Sequence, residues 1–218
     1  QSGVIFSPTG CIGVQLEPLV GLAANSENII LARRRLASGE IDLLLAPSRV
    51  DRLSTRQRQR YLQIPGADRT FWQRWSRRIA GGYISNRAKA RAICRYLQQH
   101  HLYSLKNQAA SQPKPLRYFL QNRCAGHCAL FASALILLLR GQGIPARYVG
   151  GYYAHEWNEW GEFITIRSAD AHAWAEVYFP DQGWITIDAT PARSLQRILR
   201  RQRGFAGQFW EALAEWWR

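Results

Sequence analysis

The 218-residue chain has no methionine, only four cysteines, and 15 acidic residues against 29 basic ones. Each shortage excludes something. Four cysteines, at 11, 94, 124 and 128, are too few for a disulfide scaffold in a chain this long. Long hydrophobic runs are missing as well: the longest predominantly apolar stretch, 128–139, suits a buried helix. It falls short of the roughly 18 residues that a membrane-spanning helix requires. Beginning at Gln1 without a methionine, the chain is expected to be a processed product or a piece of a longer protein. Aromatic residues, by contrast, are plentiful. Nine Trp, nine Tyr and eight Phe can furnish the core of one domain carrying an N-terminal extension.

The scarcity of acid is uneven along the chain. Residues 33–95 hold 16 basic and 4 acidic residues, and 193–203 hold five basic and none acidic. Residues 123–188 hold 4 basic and 7 acidic, a net −3 inside a chain of net +14. A nucleic-acid-processing centre would place cations beside its chemistry, so the pattern argues against one. The plain reading of the flanks is solvated Arg-rich helix faces; the functional one is attraction to anionic lipid or cell-envelope polymers.

Residues 1–50 show no legible chemistry: 4–6, 12–16 and 41–45 read as short strands, and 28–36 as helical or extended. Apolar residues at helical spacing predict helices over 54–62 and 68–80, stopped by Gly81-Gly82, and another from Ser85 or Asn86 to about 100. His100 and His101, at its end, read as surface residues, and Cys94 as a small buried hydrophobe. Residues 103–115 read as a loop or irregular strand, and Pro115 opens a short helix to Leu120. A buried helix follows over 127–139. After Pro145 the period changes to two, giving strands at 146–153, 162–167, 172–179 and 184–188, with Asp181-Gln182-Gly183 as a tight turn. A buried helix followed by an antiparallel meander indicates an α+β fold.

Cys128, His172 and Asp188 stand out within this frame. A thiol attacks only as thiolate, so it needs an imidazole to take its proton and a carboxylate to orient that imidazole. Cys128 falls in the first turn of the buried helix, where backbone N–H groups and the helix dipole favour the thiolate and stand ready for an oxyanion. The tight turn makes the last two strands adjacent and antiparallel, so the early His172 lies near the late Asp188. Other readings compete. A lone Cys in an apolar helix or His in an aromatic strand ordinarily just packs. A zinc site from Cys124, His127 and Cys128 lacks a second ligand pair and would consume the nucleophile. Cys124 is an inert thiol or a partner that protects Cys128 by reversible oxidation. Trp174 and Trp184 are structural residues or line the substrate channel.

Gly126-x-Cys128 with Phe131-Ala132-Ser133-Ala134, the run from Leu139 to Tyr152, Asp170-Ala171-His172-Ala173-Trp174-x-Glu176-Val177-Tyr178, and Gly183-Trp184-x-x-x-Asp188-x-Thr190-Pro191 together resemble the bacterial transglutaminase-like superfamily. The match is collinear over roughly 115–192. Tyr61-Leu62-Gln63-Ile64-Pro65 and the loop around Tyr103-Ser104-Leu105 resemble the branch whose catalytic domain is an extracytoplasmic part of a multi-spanning membrane protein. The resemblance implies a papain-like core, the nucleophile helix packed on an antiparallel sheet, with Cys128 as nucleophile, His172 as base and Asp188 as orienter. It implies a catalytic domain over 51–192 between an extension at 1–50 and a basic, amphipathic tail at 193–218. Asn122, shortly before the nucleophile, is the candidate oxyanion side chain beside the Cys128 amide.

The expected chemistry is acyl transfer from a carboxamide, in the first place a protein or peptide glutamine, through a thioester on Cys128 to an amine or to water. The alternatives are a cysteine protease or amidase, and a non-catalytic binding domain of the same fold. No cofactor or metal is called for, and no calcium loop of Asp/Asn spacing is present. In the tail, Phe205, Phe209, Leu213, Trp216 and Trp217 fall on one helical side after the basic run. Such a stripe suits packing on the domain or a membrane interface, with the chain continuing into a membrane segment at the outer face of an inner membrane.

Overall fold

The computed structural model describes residues 52–106, 108–152 and 170–191 in full, with the backbone of short strands inside 3–45 and 156–165. The chain divides into two compact units, Gln1–Val50 and Asp51–Arg218. In the first, β1 (Gly3–Ile5), β4 (Ile30–Ala32) and β3 (Leu22–Ala24) form an antiparallel sheet in the order β1-β4-β3. There β2 (Cys11–Leu16) pairs with β5 (Ile41–Leu45), with an irregularity between Cys11 and Gly13. The segment expected as helical or extended at 28–36 is extended at β4, and β3 is a strand not expected at all. The tail at 193–218 lies outside the described residues.

In the second unit, local chemistry accounts for the helix starts. Helix α1 (Thr55–Tyr61) begins with a reciprocal capping box: the Gln57 N–H donates to Ser54 Oγ, and the Ser54 N–H donates to Gln57 Oε1. Helix α2 is Arg69–Ala80. Helix α3 (Asn86–His100) is capped by Ser85, whose hydroxyl accepts from the Ala88 N–H. Helix α4 (Pro115–Asn122) carries proline where its missing N–H is harmless and ends on Arg123 in the left-handed region at φ 51°.

Helix α5 (Cys128–Gly141) is the centre of the unit, with Leu130, Phe131, Leu135, Leu138 and Leu139 buried. Each such side chain stabilises by roughly 1.5–3 kcal/mol on leaving water. Helix α2 approaches α5 closely: Ser76 Oγ donates to the Leu138 carbonyl at 2.6 Å, and a Cβ at Gly141 would lie 3.1 Å from the Trp72 carbonyl oxygen. On the far side α5 covers a sheet of order β10-β9-β6, made of β6 (Ala146–Tyr152), β9 (Ala171–Phe179) and β10 (Gly183–Ile187), all antiparallel. This is the expected α+β fold, with five helices on a three-stranded sheet.

The expected four-strand meander needs correction. The third of its strands in order along the chain is β9, and it pairs with β6 over seven registered pairs. The intervening β8 (Phe163–Thr165) pairs instead with β7 (Glu156–Asn158) in a separate hairpin. The small buried residues Ala146 on β6 and Ala173, Ala175 and Val177 on β9 explain this. They form one surface for α5, and a strand inserted between them would break it. His101 is a second correction: it is buried at 2% exposure, stacked 4.2 Å from the Phe119 ring, not a surface residue.

Candidate active site

Cys128 is the first residue of α5, preceded by His127 at the N-cap position, whose side chain makes no capping hydrogen bond. The Cys128 thiol is half-buried and accepts hydrogen bonds from the Ala129 N–H in its own helix and the Ala173 N–H at the start of β9. His172 is buried, next to Ala173, and hydrogen-bonds the thiol. Its Nε2 lies 2.7 Å from Asp188 Oδ2, which leaves Nδ1 as the nitrogen that meets sulfur. Structure therefore brings together the three residues singled out by the sequence.

Asp188 sits just past β10 and is held from two directions. Its Oδ1 accepts the Thr190 N–H at 2.8 Å, closing a local turn. Its backbone carbonyl accepts Gln98 Nε2 at 3.1 Å and the Cys94 thiol at 3.4 Å, both from α3 one turn apart. Cys94 packs against the core, as the helical pattern suggested, and its thiol also donates to the Asp188 carbonyl.

The electrostatics follow from this packing. Burial pushes the Cys128 thiol up, but hydrogen bonding to His172, the His172 charge and the two backbone N–H groups outweigh it and hold the pKa below the usual thiol value. Burial pushes His172 down, yet the bonds and charges of Asp188 and Cys128 raise it to about 9. Both shifts run in the direction that favours a thiolate–imidazolium pair. Cys94 differs: burial, reinforced by the Asp188 charge, raises it to about 11.

Tyr103 is the site residue that sequence reasoning did not single out. Its hydroxyl bonds the Cys128 thiol, and burial followed by the Cys128 charge raises its pKa to about 12. An isolated parallel bridge to Gly126 places it, with the Gly126 N–H donating to the Leu102 carbonyl at 3.0 Å and the Ser104 N–H to the Gly126 carbonyl at 2.9 Å. A Cβ at Gly126 would meet Leu130 Cδ1 at 2.6 Å and the Phe119 ring at 3.1 Å, so a larger residue there would have to push these side chains aside.

Of the other residues singled out, Trp174 adjoins the constellation. Asn122 donates its amide to the Tyr118 carbonyl at 3.1 Å on the exposed last turn of α4. The polar side chain beside the thiol is Tyr103's. Trp174 stacks beside His172, centroids 6.0 Å apart, and covers Gly151, where a Cβ would lie 2.7 Å from the indole. Trp184, partly buried, contacts Tyr61 at 4.8 Å, Tyr178 at 5.5 Å and the Arg147 guanidinium at 4.3 Å. Among the described residues, Cys124, His127 and Cys128 form no metal-holding cluster. Tyr148 on β6 is exposed yet close enough to the site that the Cys128 charge, after burial, helps raise its pKa.

The chain is similar to several known proteins. The chain is 31% identical over 147 residues to a protein-glutamine gamma-glutamyltransferase of Pseudomonas aeruginosa, covering 67% of this chain and 22% of that protein. It is 32% identical over 139 residues to the uncharacterized protein YebA of Bacillus subtilis, covering 60% and 19% respectively. The chain thus spans about a fifth of the length of these curated relatives. The crystal structure of the periplasmic domain of TgpA from Pseudomonas aeruginosa superposes with a TM-score of 0.71 at 26% identity, over 89% of this chain and 67% of that one. Among the described residues no helix is long and apolar enough to cross a membrane. The profile of the transglutaminase-like superfamily matches residues 73–189, enclosing Tyr103, Cys128, His172 and Asp188, and the chain belongs to that superfamily.

Proposed function

We propose that the chain is a transglutaminase: a cysteine acyltransferase that takes the acyl group of a glutamine side chain and passes it to a primary amine. The observation that carries this reading is the Cys128–His172–Asp188 constellation, a thiol bonded to an imidazole whose Nε2 is 2.7 Å from a carboxylate. In the first step Cys128 Sγ attacks the carboxamide carbon, and the carbonyl electron pair moves to oxygen. The Cys128 N–H and the Tyr103 hydroxyl are the donors suited to that oxyanion. His172, as imidazolium, protonates the departing nitrogen; the C–N bond breaks, ammonia leaves and a thioester remains. The amine then attacks the thioester, neutral His172 takes its proton, the C–S bond breaks and the thiolate returns.

Water in place of the amine would give deamidation by the same thioester. Exposed Tyr148, within reach of the Cys128 charge, favours the amine, since its ring offers a surface for the stem of a lysine-like side chain. The name of the Pseudomonas aeruginosa relative supports the same reading. Likeness to a periplasmic domain supports an extracytoplasmic location for this one. Incubation with a glutamine peptide in the absence of amine tests the covalent step. Intact-mass analysis is expected to show a Cys128 adduct equal to the peptide less ammonia. No adduct, or one retained in Cys128→Ala, would contradict the mechanism.

A further inference from the structure

The hairpin formed by α2 and α3, residues 69–100, contains eight basic residues and no acidic one. Arg87 is paired with Asp181 of the neighbouring sheet turn, but Arg74, Arg78, Arg91 and Arg95 form no ion pair among the described residues. Between the helices lies a groove of about 320 Å³ whose lining includes Trp75, Ile79, Tyr83 and Tyr96, with Arg78 and Arg95 at its sides. The Arg78 guanidinium lies over the Trp75 ring at 5.5 Å. The loop closing the hairpin carries Tyr83 at 47% exposure and Ile84 at 99%. None of these residues belongs to the catalytic constellation.

A fully exposed isoleucine at a loop tip gains nothing from the fold. With tyrosine beside it, a tryptophan and tyrosine behind it and unpaired guanidiniums around it, the face has the composition of an interfacial anchor. The charge selects the occupant. A surface of one sign attracts an anionic partner and repels the chain's own tail, whose residues 193–218 are also net basic. Nucleic acid would use the arginines but leave Ile84 without a role. A bilayer containing acidic phospholipid satisfies both features: Tyr83 and Ile84 enter the headgroup–acyl boundary while Arg78 and Arg95 meet phosphates. We infer that the α2–α3 hairpin, led by Tyr83 and Ile84 and flanked by Arg78 and Arg95, docks the domain on an anionic phospholipid surface.

Sedimentation of the full chain with phosphatidylcholine vesicles, with and without phosphatidylglycerol, tests this. Wild-type protein is expected to bind the phosphatidylglycerol vesicles and to be released by salt. Ile84→Asp is expected to weaken binding at least about fivefold, because a charge replaces the inserted apolar side chain. Arg78→Gln with Arg95→Gln is expected to cost more than about tenfold, at roughly fivefold per cation near the membrane. Ile84 makes no buried contact, so its replacement leaves the fold in place. The inference is overturned if wild-type protein does not bind the anionic vesicles. It is equally overturned if Ile84→Asp binds them as well as wild type, whether the contact then lies in the tail or elsewhere. A short DNA duplex that binds in an Arg78/Arg95-dependent, Ile84-independent manner with no vesicle binding would assign the face to nucleic acid instead.

Discussion

Tyr103 and Gly126 form a parallel bridge two residues before the candidate nucleophile, and the bridge brings the tyrosine hydroxyl onto the Cys128 thiol. This places beside the thiol a donor that stays protonated through the neutral range, its pKa raised to about 12, and under the proposed mechanism it is suited to the oxyanion. Loss of one oxyanion donor typically costs 10²–10³ in kcat. Tyr103→Phe is therefore expected to lower kcat by about 10²-fold with KM within about threefold of wild type. A kcat within about twofold of wild type, in steady-state measurements, would show that the hydroxyl only packs.

Cys128→Ala is expected to abolish turnover with the fold retained, and His172→Ala to do nearly the same. Asp188→Ala should leave a small residual rate, since water can partly replace the tautomer control that a carboxylate supplies. The pH profile adds a finer test. His172, raised to about 9, keeps its proton below that pH, so acylation should fall off on the alkaline side near 9. Asp188→Asn removes the charge behind the largest cause of that elevation and should move the limb toward acid. An unmoved limb would mean that another group sets it.

The two cysteines nearest Asp188 should react very differently. His172 and two backbone N–H groups hold Cys128 below the ordinary thiol pKa despite its burial, whereas burial and the Asp188 charge push Cys94 to about 11. Iodoacetamide at neutral pH is expected to label Cys128 first, by at least about tenfold in rate. Peptide mapping that finds Cys94 labelled faster would contradict the thiolate assignment.

His101 should make the fold sensitive to acid. Burial lowers it to about 4 from an ordinary value of 6.5, so the unfolded chain binds this proton more readily than the folded one between those pH values. Its contribution to stability is intact above about 6.5 and declines as pH falls toward 4. The loss on full protonation is on the order of 3 kcal/mol. Urea unfolding at pH 7 and pH 4.5 is expected to show a smaller acid loss in His101→Phe than in wild type. Equal losses would place the acid sensitivity elsewhere.

The parts of the site legible in the sequence are those carried by local pattern. Cys128 opens an apolar run that only a buried helix accommodates, and His172 on β9 and Asp188 just past β10 belong to strands joined by one tight turn. What was not legible depends on distant chain segments. Tyr103 reaches the thiol only through its bridge to Gly126, and no spacing rule connects those positions. Cys94 and Gln98 sit one turn apart on an amphipathic helix, and only the packing of α3 turns them onto the Asp188 carbonyl. His101 ends a helix, as surface residues often do, but Phe119 and Phe131 close over it from other helices. The hairpin of β7 and β8 was missed for a related reason: period-two alternation marks a strand without saying which neighbour it pairs with.

The central claim is acyl transfer through a thioester on Cys128, and one measurement tests it most directly. Wild-type and Cys128→Ala protein are incubated with a glutamine-containing acceptor protein and a labelled primary amine, and covalent label and released ammonia are counted together. The account predicts one ammonia for each label incorporated by the wild-type protein, and neither product from Cys128→Ala. Ammonia without label would replace transfer with hydrolysis; label incorporated equally by Cys128→Ala would contradict the account outright.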